Sequence, residues 1–182
     1  MPRLIAFVLA VSFMAVLSRK TLSRPKAHGF WRFFAFVAIV AQLLLAFPFW
    51  LVKPFSWHQL VSWPLLAISL VLVIVGFRWL RKIGGSGQRE PEPANFAFEN
   101  TGRLVTTGPY RWIRHPMYSS LLFLSWGAFF KRPALAELAL ALLTSCFLWQ
   151  TARVEERENI AVFGAAYEAY VKSSKMFVPC LF

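Results

Sequence analysis

The stretch LVSWPLLAISLVLVIVGFRWL, residues 60–80, holds twenty-one residues of which only Arg78 is charged. At about 1.5 Å of rise per residue it makes a helix of roughly 32 Å, enough for a hydrocarbon core of about 30 Å. Trp63 and Trp79 lie near its two ends, where indole rings favour the membrane interface. Pro64 falls near the start, where a missing N–H is tolerated. This segment fixes the solvent: part of the chain lives in lipid.

Similar blocks lie on either side. Residues 30–52 precede it, with Trp31, Phe49 and Trp50 at the ends, and residues 4–17 come first. After a polar stretch over 81–109, rich in Gly and Pro, come residues 117–130 and 133–152. The whole chain is 58% hydrophobic and 15% charged, whereas a soluble domain is nearer half and a quarter. The expected architecture is all-α: one polytopic membrane domain over 1–182 of about five transmembrane helices, three of them within 1–80.

Residues 4–17 resemble a secretory signal, but no small-x-small cleavage site follows and the stronger charge (Arg19, Lys20, Arg24, Lys26) lies after the block, so they read as a retained span. The 117–130 run has only 14 residues and reaches about 21 Å, short of a full crossing. Pro133 suits the first position of the last span. Residues 153–173 then read as an amphipathic helix along the membrane surface, with Ile160, Phe163, Tyr167, Tyr170 and Val171 on one face.

Twenty Lys and Arg against eight acids give a net charge of +12. The basic residues flank apolar blocks, so anionic lipid and the topology signal account for them and nucleic acid does not. With the N-terminus outside, 16 of the 20 fall on the cytoplasmic side, and only Arg3, Lys53, Lys131 and Arg132 fall outside. Cys146 and Cys180, with no CxxC or Cys/His cluster near, support neither a disulfide framework nor a metal site. His28 and His58 read as interfacial residues without partners, and Glu137 as a helix-start carboxylate near the outer surface.

Two polar segments meet on the cytoplasmic side: GRLVTTGPYRWIRHPMY, residues 102–118, and RVEERE, residues 153–158, followed by Phe163-Gly164 and Tyr167. Pro116 is placed to open the short fourth helix, with His115 at its cap. The backbone N–H groups of Met117 and Tyr118 are then free to attract an anion, and Arg114 reinforces them. Glu155 and Glu156 supply the opposite charge near the depth where desolvation becomes costly, and suit an ammonium or sulfonium. Taken singly, Arg-His-Pro is also a plain basic flank and Glu-Glu a plain solvated face; together they describe a ligand with a carboxylate and a nearby cation.

The run from Leu104 to Tyr118, the Glu-Glu pair and Phe-Gly-x-x-Tyr-x-x-Tyr together resemble the isoprenylcysteine carboxyl methyltransferase and phospholipid methyltransferase family, over roughly residues 95–179. The resemblance implies a membrane-embedded methyltransferase using S-adenosyl-L-methionine in a cytoplasmic pocket closed by the last two spans and the C-terminal segment. A lipophilic small-molecule or lipid acceptor would enter from the bilayer. Carried over by motif, the cofactor contacts fall on Asn95, Gly102, Arg103, Leu104, Val105, Tyr110, His115, Pro116, Met117, Tyr118, Glu155 and Glu156. Glu155 and Arg153 are the residues expected at the reacting centre. Members that esterify a prenylcysteine carboxylate place an arginine one turn before the cofactor-binding glutamate; here that place holds Thr151, and Arg153 is turned from it by about 200°. The acceptor is therefore expected to differ from a prenylcysteine carboxylate. A sterol- or isoprenoid-type reductase of related fold is disfavoured by the two glutamates, which would repel a pyrophosphate. A non-catalytic membrane partner that keeps the fold would fail to bind S-adenosylmethionine.

The charge asymmetry predicts an outside N-terminus and a cytoplasmic polar loop. With Cys146 and Cys180 replaced, a Glu90→Cys probe should react with a membrane-impermeant maleimide only after lysis. Labelling in intact cells would overturn the topology.

Overall fold

The computed structural model describes residues 1–85 and 101–179. Seven α-helices make up most of it: α1 (Pro2–Leu17), α2 (Arg19–Leu22), α3 (His28–Ala46), α4 (Trp57–Ile83), α5 (Pro116–Phe129), α6 (Leu135–Phe163) and α7 (Ala165–Ser173). Among the described residues three segments are long and apolar enough to cross a membrane, His28–Phe49, Trp57–Ile83 and Leu135–Phe163. The other two apolar helices, α1 and α5, are shorter. The chain is thus a polytopic helical membrane protein, as its composition requires.

Helix α3 packs along α6 and α4 along α5, while α5 also touches α6 and α3 and so joins the two pairs. Each pair is antiparallel. Along α4, Ser62, Ser69 and Gly76 recur every seven residues and are buried. The Ser62 hydroxyl donates to the Gly127 carbonyl at 2.7 Å, the Ser69 hydroxyl to that of Ser120 at 2.7 Å, and Gly76 lies against Pro116 and Met117. Small residues let helix backbones approach in a medium that offers no hydrophobic drive between helices. The α3/α6 pair is tied at both ends. Gln42 donates to the Glu137 carbonyl at 3.0 Å, and the His28 ring pairs with Glu158 at 2.6 Å. His28 is therefore a buried tie and not a free interfacial residue. His58 likewise has partners, the Ser56 hydroxyl at 2.9 Å and the Phe130 carbonyl at 2.8 Å.

Other boundaries depart from expectation for clear reasons. Helix α6 begins at Leu135 with Ala134 as its cap, so Pro133 stays outside it. It then runs unbroken past Arg153 to Phe163, since charged residues are good helix formers and merely mark where the helix leaves lipid. The break comes at Gly164, whose φ of +56° is easy for glycine alone, and only the nine residues of α7 form the separate C-terminal helix. The second block loses its helix at Ala46 and ends in a 3₁₀ turn at Phe47–Phe49, around Pro48. Glu137 sits in the first turn of α6, as a helix-start carboxylate would, and its side chain is buried within the bundle with Arg132 3.5 Å away. Helices α1, α4 and α6 end, and α3 and α5 begin, at one end of the bundle.

At that end a 3₁₀ turn, Gly108–Arg111, leads into α5. Gly108 has φ +63°, and a Cβ there would lie 2.5 Å from the Trp79 ring. Left-handed strain and overpacking each cost about 1–3 kcal/mol. Gly85, with φ +50° and nothing nearer than 3.9 Å, would carry the strain alone. Thermal melting in detergent should therefore fall further for Gly108→Ala than for Gly85→Ala; equal shifts would show that the Trp79 contact yields freely.

Candidate active site

A cleft of about 690 Å³, its open mouth included, lies among the end of α4, the approach to α5, the last turns of α6, and α7. The polar stretch after Gly85 returns at Thr101, where the Gly102 N–H donates to the Gly84 carbonyl at 3.1 Å. The chain passes Leu104 and the buried Val105, turns at Gly108 and enters α5 through His115 as cap and Pro116 at the first position. An α-helix leaves its first N–H groups without intrahelical partners, so Met117 and Tyr118, both in the cleft wall, present theirs near it. Tyr110 closes the side towards α4 by donating to the Gly76 carbonyl at 3.3 Å.

Beyond α7 the chain folds back. Residues 174–178 run beside 112–115 in a single parallel bridge between Ile113 and Lys175. Arg114 N–H donates to the Lys175 carbonyl at 2.7 Å and His115 N–H to that of Met176 at 3.2 Å. The Ser119 hydroxyl donates to the Phe177 carbonyl at 2.7 Å, and the Tyr170 hydroxyl to that of Tyr110 at 2.6 Å. Cleft walls from distant parts of the chain are thereby locked together.

The two adjacent glutamates of α6 have different environments. Consecutive helical residues diverge by about 100°, so they cannot face one point. Glu156 receives the Arg114 Nε–H at 2.7 Å, and the same guanidinium donates to the carbonyls of Val171 and Ser174. Glu155 lines the cleft, and its Oε2 is buried without a hydrogen-bond partner. The nearest cationic candidate is the His115 ring, whose Nδ1 is 3.9 Å from that oxygen. The ring stacks on Tyr118 with centroids 5.4 Å apart, and its Nε2 lies 3.5 Å from Glu156. Three cleft tyrosines are held protonated well above the usual phenol range. Burial is the main cause for Tyr110, Tyr167 and Tyr170, and the Glu155 charge adds to it for the first two.

The sequence-derived site residues separate by position. Leu104, Val105, Tyr110, His115, Pro116, Met117, Tyr118 and Glu155 line the cleft. Gly102 and Arg103 do not, Arg103 being exposed, and Glu156 stands behind the wall on Arg114. Arg153 is exposed on α6 with its guanidinium over the Trp149 ring, and Thr151 is buried with its hydroxyl on the Phe147 carbonyl. Asn95 lies outside the described residues. Sequence reasoning missed Leu80, Thr101 and Asn159 in the lining. Asn159 was findable, being one helical turn beyond Glu155. No group of three or more His, Cys or acidic residues is placed to hold a metal among the described residues.

The family described as phospholipid methyltransferase matches residues 57–166, more than half of the chain. Among curated proteins, methanethiol S-methyltransferase 2 of Bradyrhizobium diazoefficiens is 26% identical over 96% of this chain and 73% of its own length. Methanethiol S-methyltransferase of Crocosphaera subtropica is 24% identical, over 78% of this chain and 58% of its own length. A protein of the same name from Pseudomonas deceptionensis is 29% identical over 40% of this chain and 27% of its own length.

The Arg114 fork makes a prediction of its own. Removing one partner of a buried pair costs on the order of 3 kcal/mol. Arg114→Met should free residues 171–178 and speed their limited proteolysis, and Glu156→Gln, which keeps the carbonyl contacts, should do so less. Unchanged cleavage in both variants would refute the role of the fork.

Proposed function

The chain belongs to the phospholipid methyltransferase family, and from that premise we propose that it is a membrane methyltransferase that takes its methyl group from S-adenosyl-L-methionine and gives it to a small lipophilic acceptor. The observation that carries the reading is Glu155, whose Oε2 has no hydrogen-bond partner, in the wall of a cleft that also holds the N-terminus of α5. A partly buried carboxylate without a hydrogen bond calls for a cation, and a helix N-terminus for an anion. An amino acid sulfonium carries both. When bound, S-adenosylmethionine supplies an already activated methyl group. The chain then has to bind, orient and exclude water. Glu155 would hold the cationic part, Met117 and Tyr118 N–H the carboxylate, and Leu104, Val105, Tyr110, His115 and Pro116 the remaining surface. Glu156 supports this indirectly by occupying Arg114, which would otherwise neutralise Glu155.

For the acceptor we favour a small thiol. The named relatives point that way, and no cation replaces Thr151 beside Glu155, since Arg153 is turned outward. Tyr118 in the cleft wall belongs to a buried apolar cluster with Leu148, Ala152 and Phe177. Apolar surroundings on that side suit an uncharged acceptor better than a carboxylate. The positive-inside bias supports a cleft on the cytoplasmic face of the membrane.

Calorimetric titration of purified protein with S-adenosylmethionine tests the first half. Because truncating one side of a desolvated charge pair costs about 2–5 kcal/mol, Glu155→Gln should weaken binding more than tenfold and Glu156→Gln less. A methyl-transfer assay with methanethiol, phosphatidylethanolamine and a farnesylated cysteine tests the second. Turnover of the farnesylated cysteine alone would displace the thiol reading; unchanged affinity in Glu155→Gln would remove its foundation.

A further inference from the structure

We propose that His115 is the proton acceptor for the methyl acceptor, with Glu156 and Arg114 behind it as positioning residues. The inference rests on the reading of the cleft given above and adds to it the fate of a proton. A thiol is a poor nucleophile until it becomes a thiolate, so a base within reach of the reacting sulfur is worth about 10²–10⁴ in rate.

The titratable and charged groups around the ring come from four elements. They are Glu155 and Glu156 on α6, Arg114 and Tyr110 on the approach to α5, Tyr118 on α5, and Tyr167 and Tyr170 on α7. The cleft tyrosines Tyr110, Tyr167 and Tyr170 are held protonated by burial, so they donate and do not accept. Arg114 is a permanent cation that cannot take up a proton, and its Nε and Nη1 donors are held by Glu156 and two carbonyls. Glu155 is committed to the sulfonium. His115 is left, with its side chain almost fully buried in the cleft wall and its Nδ1 3.9 Å from Glu155.

Its surroundings set the tautomer. Nε2 faces Glu156 at 3.5 Å, a carboxylate whose position Arg114 fixes, so Nε2 carries the hydrogen. Nδ1, 3.9 Å from Glu155, then presents its lone pair on the side where the sulfonium would sit. Stacking on Tyr118, with the tilted Phe177 ring 6.3 Å away, restrains the ring plane. In the step, the S–H proton passes to Nδ1 and the freed sulfur pair forms the new S–CH₃ bond. The old C–S⁺ bond breaks and its electron pair stays on the departing thioether. The imidazolium, flanked by two carboxylates, returns its proton to solvent through the open mouth. No other reactant is needed.

His115→Gln keeps a hydrogen-bonding side chain of similar reach but cannot take up a proton. It is compared with the native protein using an alkyl thiol and an aromatic thiol that is already largely ionised at the assay pH. The expected result, with S-adenosylmethionine at saturation, is a kcat loss of at least about 100-fold with the alkyl thiol and a loss under tenfold with the aromatic thiol. The native kcat with the alkyl thiol should rise with pH through one ionisation that is missing in His115→Gln. Equal losses with both thiols, or a loss confined to cofactor affinity, would overturn the proposal and leave the methyltransferase reading standing. Cofactor binding with no native turnover of either thiol would overturn it together with the thiol reading.

Discussion

The Arg114 guanidinium holds the active end of this bundle together. Its planar fork reaches a carboxylate on α6 and two carbonyls at the end of α7 and just beyond. A lysine, with a point charge on a flexible stem, could not make these contacts at once. The approach to α5, the last turns of α6 and the end of α7 are thereby fixed around one cleft. The pairing also decides electrostatics. Neutralising Glu156 leaves the neighbouring Glu155 as the carboxylate the cleft can offer, and the helical twist between them keeps the two from competing.

Polar groups elsewhere in the bundle show what an ordinary solution looks like. Lys131 is buried at the opposite end, but its ammonium donates to the Gln59 side chain at 2.8 Å and sits 3.1 Å from the centre of the Trp63 ring. Glu137 has Arg132 beside it. Gln42 bridges Ser125 and the Glu137 carbonyl. Each of these charges or amides has an internal counterpart, as a low-dielectric setting demands. Glu155 has only a histidine at 3.9 Å. What sets Glu155 apart is its place in the wall of the cleft.

The spans were legible because lipid imposes a simple rule: a crossing helix must be apolar over most of its length. Residues 60–80 could be read no other way. The cap of α5 was legible too, since His-Pro places proline where its missing N–H costs nothing. The course of α6 was not. Arg153-Val-Glu-Glu reads as the edge of an element, yet helix propensity does not fall there, and Gly164 alone ends it. Pairings between residues 130 positions apart, such as His28 with Glu158, have no local signature. The stripe of Ser62, Ser69 and Gly76 was in plain view at a seven-residue spacing, and a search for small residues would have given the α4/α5 contact. The separation of Glu155 from Glu156 needed the position of Arg114 relative to α7, which depends on where the chain turns at Gly164.

Methyl transfer from a sulfonium asks little of a protein beyond alignment, which is why so small a bundle can serve. The donor is already activated, so the design problem shifts to the acceptor, which must become a nucleophile once inside. A preformed anion would face Glu155 in the cleft wall. An acceptor that enters as a neutral thiol avoids that repulsion and then needs a local base. Burial around Tyr110, Tyr167 and Tyr170 disqualifies the phenols for that purpose. The same burial that makes the cleft a place for a neutral acceptor therefore concentrates the proton chemistry on His115, the imidazole that the two glutamates of α6 approach from either side.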